Sequence, residues 1–204
     1  MNGEELLART RRLVRDDTPD YLFSDDEIYQ ALSDAQYEAC ERTGLLRELV
    51  DLTVPTSGAP VELPMHVYRP LDVEYRGRSY SVQDLSRYPV STLAGALPEG
   101  VYHDLGRLYL VPKPLANEVV RLKAIVIPKT PISEDHQTVA IPERFHYALC
   151  DGAAARLMRT LDADMEDDAR LRRFEALWER HLLDMRRYAA RHNRTNSTVK
   201  YGGY

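Results

Sequence analysis

The feature that most constrains this chain is a change of punctuation partway along it. Most of its twelve prolines, and half of its ten glycines, fall between Val54 and Pro131. Proline lacks the amide proton that a helix interior needs, and glycine favours turns, so this stretch reads as short strands joined by turns. The candidate strands are Leu49 to Val54, Leu71 to Tyr75, Ser79 to Val82, Val101 to His103, Arg107 to Val111 and Glu118 to Ile127. Arg76-Gly77 and Leu105-Gly106 mark two hairpin turns between them. Leu63-Pro64 to Arg69-Pro70 reads as a single helical turn. The proline density argues for short strands with blunted edges rather than a broad sheet.

The flanks have helical period. Between Glu4 and Arg15, Leu6, Leu7, Thr10, Leu13 and Val14 share a face. Ser24-Asp25-Asp26-Glu27 is a capping box with Phe23 and Ile28 at the staple positions, and Gly44 is a natural stop for the helix it opens. Helix returns at Pro142 and runs to about Thr160. Its small residues, Ala148, Gly152, Ala153, Ala154 and Ala155, let another helix approach closely. A fourth helix begins near Asp164 with an acidic first turn and carries Leu171, Phe174, Trp178, Leu182, Met185 and Ala189 on one face to about Arg191. The expected fold is α+β: mainly an α-helical bundle of about four helices, with a central β-strand insertion subdomain and an extended C-terminal tail. Its parts are N-terminal helices over 1–48, the insertion over 49–138, C-terminal helices over 139–192 and the tail over 193–204.

With 204 residues, 44 % hydrophobic and 29 % charged, the chain can bury roughly 70 % of its unfolded surface without metal or disulfide staples. Cys40 and Cys150 are too few for a disulfide framework and fit reducing conditions. No apolar run approaches the ~18 residues of a membrane span, and the acidic start, Met1 to Glu5, lacks the apolar core of an export signal. Charge is unevenly placed. The last twenty residues hold five cations and no acid against a total of −5, which leaves −10 for the first 184. The chain is an acidic body with a basic tail.

Catalytic chemistry is not legible. The sequence has no glycine-rich phosphate loop, no G-x-S-x-G, no H-E-x-x-H and no C-x-x-C. His146 and Cys150, four apart on a helix, could meet as base and thiol, but such a pair also needs an orienting partner and an oxyanion site, and a buried cysteine is the plainer reading. His181 with Asp184 reads as a solvated helix face rather than a metal site. The acids of 162 to 168 lack the spacing and central glycine of a calcium loop. No cofactor, metal or catalytic residue is expected. The basic tail reads by default as a solvated terminus, with nucleic-acid contact or docking into an acidic groove of a protein partner as alternatives. Tyr201-Gly202-Gly203-Tyr204 favours docking, because glycines between aromatic anchors suit a segment that orders on binding.

Three stretches carry a family resemblance: Phe23-Ser24-Asp25-Asp26-Glu27-Ile28 leading to Leu32-Ser33-Asp34-Ala35-Gln36, Leu108-Tyr109-Leu110-Val111-Pro112-Lys113-Pro114, and Ile141-Pro142-Glu143-Arg144-Phe145-His146-Tyr147-Ala148-Leu149. In this order, over about residues 5 to 190, they resemble the head-to-tail adaptor proteins of tailed bacteriophages, which form the first ring beneath the portal. The resemblance implies a structural virion protein without enzymatic activity, assembled in the host cytoplasm as a homo-oligomeric ring, commonly of twelve copies. It implies contacts with the portal protein above and with downstream neck, stopper or tail proteins below, the β insertion projecting to the tail side and the C-terminal segment embracing the portal. Arg186, Arg187, Arg191, Arg194, Lys200, Tyr201 and Tyr204 are then the portal-binding residues, with 186–204 disordered in the free protein. An acidic body around a channel suits DNA passing without specific binding, since a basic lumen would grip phosphates. The alternative is a small DNA-binding protein using the basic tail; against it, Arg9, Arg11, Arg12 and Arg15 are opposed by nearby acids and form no recognition helix.

Overall fold

The computed structural model describes the chain except for residues 17, 19, 57, 89–98, 135–138, 161–167 and 193–204. The chain forms two compact units, one from Met1–Leu45 with Pro128–Tyr204, the other from Leu46–Ile127.

The first unit holds four helices, α1 (Gly3–Val14), α2 (Asp25–Thr43), α3 (His146–Arg159) and α4 (Asp168–His192). Local chemistry sets their ends. In the capping box of α2 the Glu27 amide donates to Ser24 Oγ at 3.3 Å, while the Ser24 amide donates to the Glu27 carboxylate at 2.8 Å. Asn2 and Glu5 make an equivalent box at α1. Gly44 closes α2 in the left-handed conformation at φ 62°, where its amide donates to the Cys40 carbonyl at 2.9 Å. Pro142 caps a 3-10 turn over Glu143–Phe145 that feeds α3, so the α-helix itself starts four residues later than the sequence suggests. The acids expected in the first turn of the last helix, Asp164, Glu166 and Asp167, lie outside the described residues; Asp168 opens α4.

Small residues on α3 do bring a neighbour close. Trp178 of α4 lies against Gly152, where an added Cβ would sit 2.8 Å from the indole ring. The indole is tied on its other side, Nε1 donating to Glu38 of α2 at 3.0 Å. The segment returning from the second unit is fastened to α2 as well, the Ile132 amide donating to Ser33 Oγ at 2.9 Å.

The second unit is a seven-stranded mixed sheet: β1 (Arg47–Thr53), β2 (Val61–Glu62), β3 (Val67–Tyr75), β4 (Arg78–Asp84), β5 (Gly100–Asp104), β6 (Arg107–Val111) and β7 (Val119–Val126). Their order is β1-β7-β3-β4-β5-β6-β2, antiparallel except for the parallel β4–β5 pair. Val120, Leu122, Ala124 and Val126 alternate inward along β7 and pack with Leu52 from β1 and Val61 from β2 in a single core. Because both outermost strands feed that core, the sheet curls into a nearly closed barrel. Both anticipated hairpin turns are present, with positive φ at Arg76 (50°), Gly77 (72°), Leu105 (44°) and Gly106 (75°), as a tight primed turn requires.

Two expectations are corrected. The chain is not a mainly helical bundle carrying a small insertion, since the strands form one continuous sheet around a core of their own. Prolines misled here because they lie mainly in the connections, while Pro70 sits inside β3 at a register irregularity, where the missing amide costs the ladder little. Nor is 63–70 a helical turn: a short turn at Met65–His66 leads directly into β3.

Gly152→Ala is expected to destabilise the helical unit by about 1–3 kcal/mol, because the indole it would strike is held by Glu38 and cannot retreat freely. A urea titration followed by Trp178 fluorescence checks this, Trp178 being the single tryptophan.

Candidate docking surface on the last helix

Twenty-five residues make α4, and its buried stripe is Phe174, Trp178, Leu182, Met185 and Ala189. That stripe turns Glu179, Arg180, Asp184, Arg186 and Arg187 outward. Arg187 and Arg191, one turn apart, share a face, while Arg186 points about 100° round from Arg187. All three are exposed. Cations here also face the negative end of the helix dipole. The end of the helix is held by aromatic contacts: Tyr188 meets Phe145 edge-on at 5.3 Å, His192 stacks on Tyr188 at 3.8 Å, and Arg144 lies over the Tyr188 ring at 4.9 Å.

Of the residues expected to dock, then, Arg186, Arg187 and Arg191 belong to α4. Residues 186–192 are helical, which agrees with the helix read to about Arg191 and corrects the expectation that disorder begins at 186. Helix-forming residues continue past Asp184, and the Tyr188 seat, which rewards ordering, involves Phe145 more than forty positions away. Arg194, Lys200, Tyr201 and Tyr204 lie outside the described residues.

The pairs examined for chemistry resolve differently from their sequence neighbours. His146 faces the Met1 amine with Nδ1 at 3.0 Å and the Ile141 carbonyl with Nε2 at 2.9 Å, so neither ring nitrogen is turned to a thiol. Burial pushes the Cys150 thiol up to about 11, leaving it protonated and unreactive. His181 pairs with Asp151 of α3 at 2.9 Å, not with Asp184, which takes Arg187 at 3.2 Å. Among the described residues no cluster of histidine, cysteine and carboxylate could hold a metal ion. A cleft of about 710 Å³ in the β unit is lined by Arg69, Asp84, Arg87, Tyr88 and His103. Its Asp84 carboxylate is committed to the Ser86 amide at 2.9 Å and hydroxyl at 2.7 Å, which lowers its pKa. Among the described residues nothing there pairs a nucleophile with a base.

A surface of exposed charges on a rigid helix, without a reaction centre among the described residues, is suited to holding another macromolecule. Comparison with protein families agrees: the family described as SU10 adaptor protein matches residues 1–200. The chain belongs to the SU10 adaptor family. No curated protein matches it closely enough to count as a relative. As a phage head-tail adaptor the protein is a structural component of the virion that associates with other head or tail proteins, in a family that is typically non-enzymatic.

The adaptor's buried histidine gives its stability a pH signature. Burial, foremost, lowers the pKa of His146 from 6.5 and outweighs the opposing hydrogen bond to the Ile141 carbonyl. The unfolded chain therefore takes up this proton first, so the contribution is intact above about pH 6.5 and is lost as pH falls below it. Unfolding midpoints in urea should drop between pH 7 and pH 5, and the drop should be smaller in His146→Gln. Equal slopes would remove His146 as the cause.

Proposed function

We propose that this adaptor forms a closed ring of twelve copies between the portal and the next neck or tail protein, with the genome passing through the ring. The family match over residues 1–200 carries the reading. Head-to-tail contact between identical copies closes into a ring when the rotation per copy divides a full turn. The charge distribution supports a conduit: with −10 over its first 184 residues, the body repels a polyanion instead of gripping it.

In this reading the β unit meets the tail-side component, and the segment that continues from α4 runs along the portal. Arg186, Arg187 and Arg191 stand on a fixed helix end, from which residues 193–204 can reach up to roughly 40 Å. Arg194 and Lys200 extend the positive charge, and Tyr201 and Tyr204 supply anchors. Arginine pairs well with carboxylates, and the long-range attraction speeds the encounter before the aromatic rings are buried. Ordering the segment costs entropy, offset by many copies engaging together. Assembly takes place in the host cytoplasm, before tails attach.

Truncation after His192 keeps the Tyr188 seat and removes only the segment beyond. Retention on immobilised portal protein should fall at least tenfold, which is about 1.4 kcal/mol, and tailed particles should become rare. Full binding and normal tail counts by the truncated chain would show that the segment is a solvated terminus.

A further inference from the structure

Two exposed helix faces carry opposite charge at the same spacing. On α2, Glu27, Asp34 and Glu41 recur every seven residues, and all are exposed. On α4, Arg173, Arg180 and Arg187 recur every seven residues, also exposed, and alternate with exposed Ala169, Ala176, Leu183 and Ala190 at the same period. Seven helical residues rise about 10.5 Å and drift only ~20° around the axis, so each triplet is a row of like charges about 21 Å long.

Among the described residues neither row has an opposite row. Glu27 is engaged with Ser24, Asp34 accepts from Gln30 at 2.8 Å, and Glu41 forms no ion pair among the described residues. Arg173 and Arg180 form none there either, and Arg187 reaches only Asp184 on its own helix. Where α2 and α4 do touch, they use other residues, Glu38 with Trp178 and Arg42 with Glu179.

Beside the acidic row runs a groove of about 390 Å³, with Phe23, Ala31 and Leu157 between Glu27 and Asp34; Arg156, which Glu38 holds, and Thr160 line it as well. Leu183 is 54 % exposed and stands midway between Arg180 and Arg187. An apolar knob flanked by two cations thus has a counterpart in a partly apolar groove flanked by two carboxylates at the same separation.

We propose that α4 of one copy docks antiparallel along α2 of a second copy of this chain, with Leu183 in the groove between Glu27 and Asp34. Antiparallel alignment places Arg187 opposite Glu27, Arg180 opposite Asp34 and Arg173 opposite Glu41; Arg187 is then taken by the neighbouring copy, which leaves Arg186 and Arg191 of this helix to the portal. A parallel alignment with Leu183 in the same groove leaves Arg173 beyond the end of the row. Each copy offers α4 to one neighbour and α2 to the other, a heterologous contact that builds rings or filaments rather than isolated pairs. The inference rests on the ring reading above and names the contact that makes the ring.

The test uses full-length adaptor in particles assembled with each variant. One variant is R173E with R180E; the other is D34K with E41K, leaving Glu27 to cap α2 and its Arg187 partner unchanged. These side chains are exposed, and circular dichroism melts confirm that each variant folds. Each double reversal alone should lower the adaptor copies per particle at least tenfold, and the chain carrying all four changes should recover them. Separately, D34C and R180C in one chain should give a ladder of disulfide-linked copies, the native Cys40 and Cys150 being buried. If particles hold many adaptor copies, yet neither reversal lowers their number and no ladder forms, this contact is wrong and the ring stands. A single copy per particle overturns both readings.

Discussion

One half-buried carboxylate, Glu38, joins three helices of the helical unit. It accepts from the Trp178 indole of α4 at 3.0 Å, from Arg42 on its own helix at 2.7 Å, and from Arg156 of α3. Burial pushes its pKa up, and these donors more than reverse the shift, so the group stays ionised. The Trp178 ring that it holds fills the gap left at Gly152, while Arg42 goes on to clasp Glu179 through two hydrogen bonds of 2.7 and 2.8 Å. Rotating α4 would therefore break several interactions at once. Its outer face, with Leu183 and the arginine row, is set by what its inner face must satisfy.

The β unit uses a comparable device at its surface. Glu118, just before β7, accepts from the Arg76 guanidinium at 2.9 and 3.0 Å, the Leu115 amide at 2.7 Å and the Tyr75 hydroxyl at 2.9 Å. Arg76 and the Leu115 amide, opposed by some burial, hold its carboxyl at about 2. The interactions stay intact above the ordinary value of 4.5 and fade as pH falls toward 2, so acid loosens the β3–β4 turn where it meets the start of β7. Elsewhere the sheet depends on alternation. Leu108 and Leu110 face inward from β6 while Arg107, Tyr109 and Val111 do not, which is how five-residue strands contribute to a common core.

What could be read from sequence follows the range of the interactions. The Ser24 box, the Gly44 stop and the turns at Arg76-Gly77 and Leu105-Gly106 depend on residues within a few positions, and each is legible in one short stretch. Six of the seven strands also show in local composition. Val61–Glu62 does not, because two residues carry no period. The parallel β4–β5 pairing and the curling of the sheet join segments that no local pattern connects, and without them the strands look like a small insertion. Histidine partners failed for the same reason: Asp184 is near His181 in sequence, but Asp151 on the facing helix is near it in space. The basic C-terminus was visible as composition and the helix that presents its first three arginines as apolar period to about Arg191, whereas the Phe145 contact that fastens the end of that helix, far upstream, was not.

The two charged rows bear on how a ring of an acidic protein can form at all. Copies with a body charge of −10 repel one another, and exposed ion pairs contribute only about 0–1 kcal/mol each. Burying one leucine adds about 1.5–3 kcal/mol. A contact of three such pairs and one knob is therefore weak for a pair of copies and becomes strong only when closure, or a surface that gathers many copies, lets all contacts form together. In the proposed ring, weak contacts between free copies would also keep rings from forming away from the portal. The same arginines that would attract DNA phosphates would, in the proposed arrangement, be neutralised by carboxylates of the neighbouring copy, so that assembly would remove cations able to slow DNA in the proposed channel.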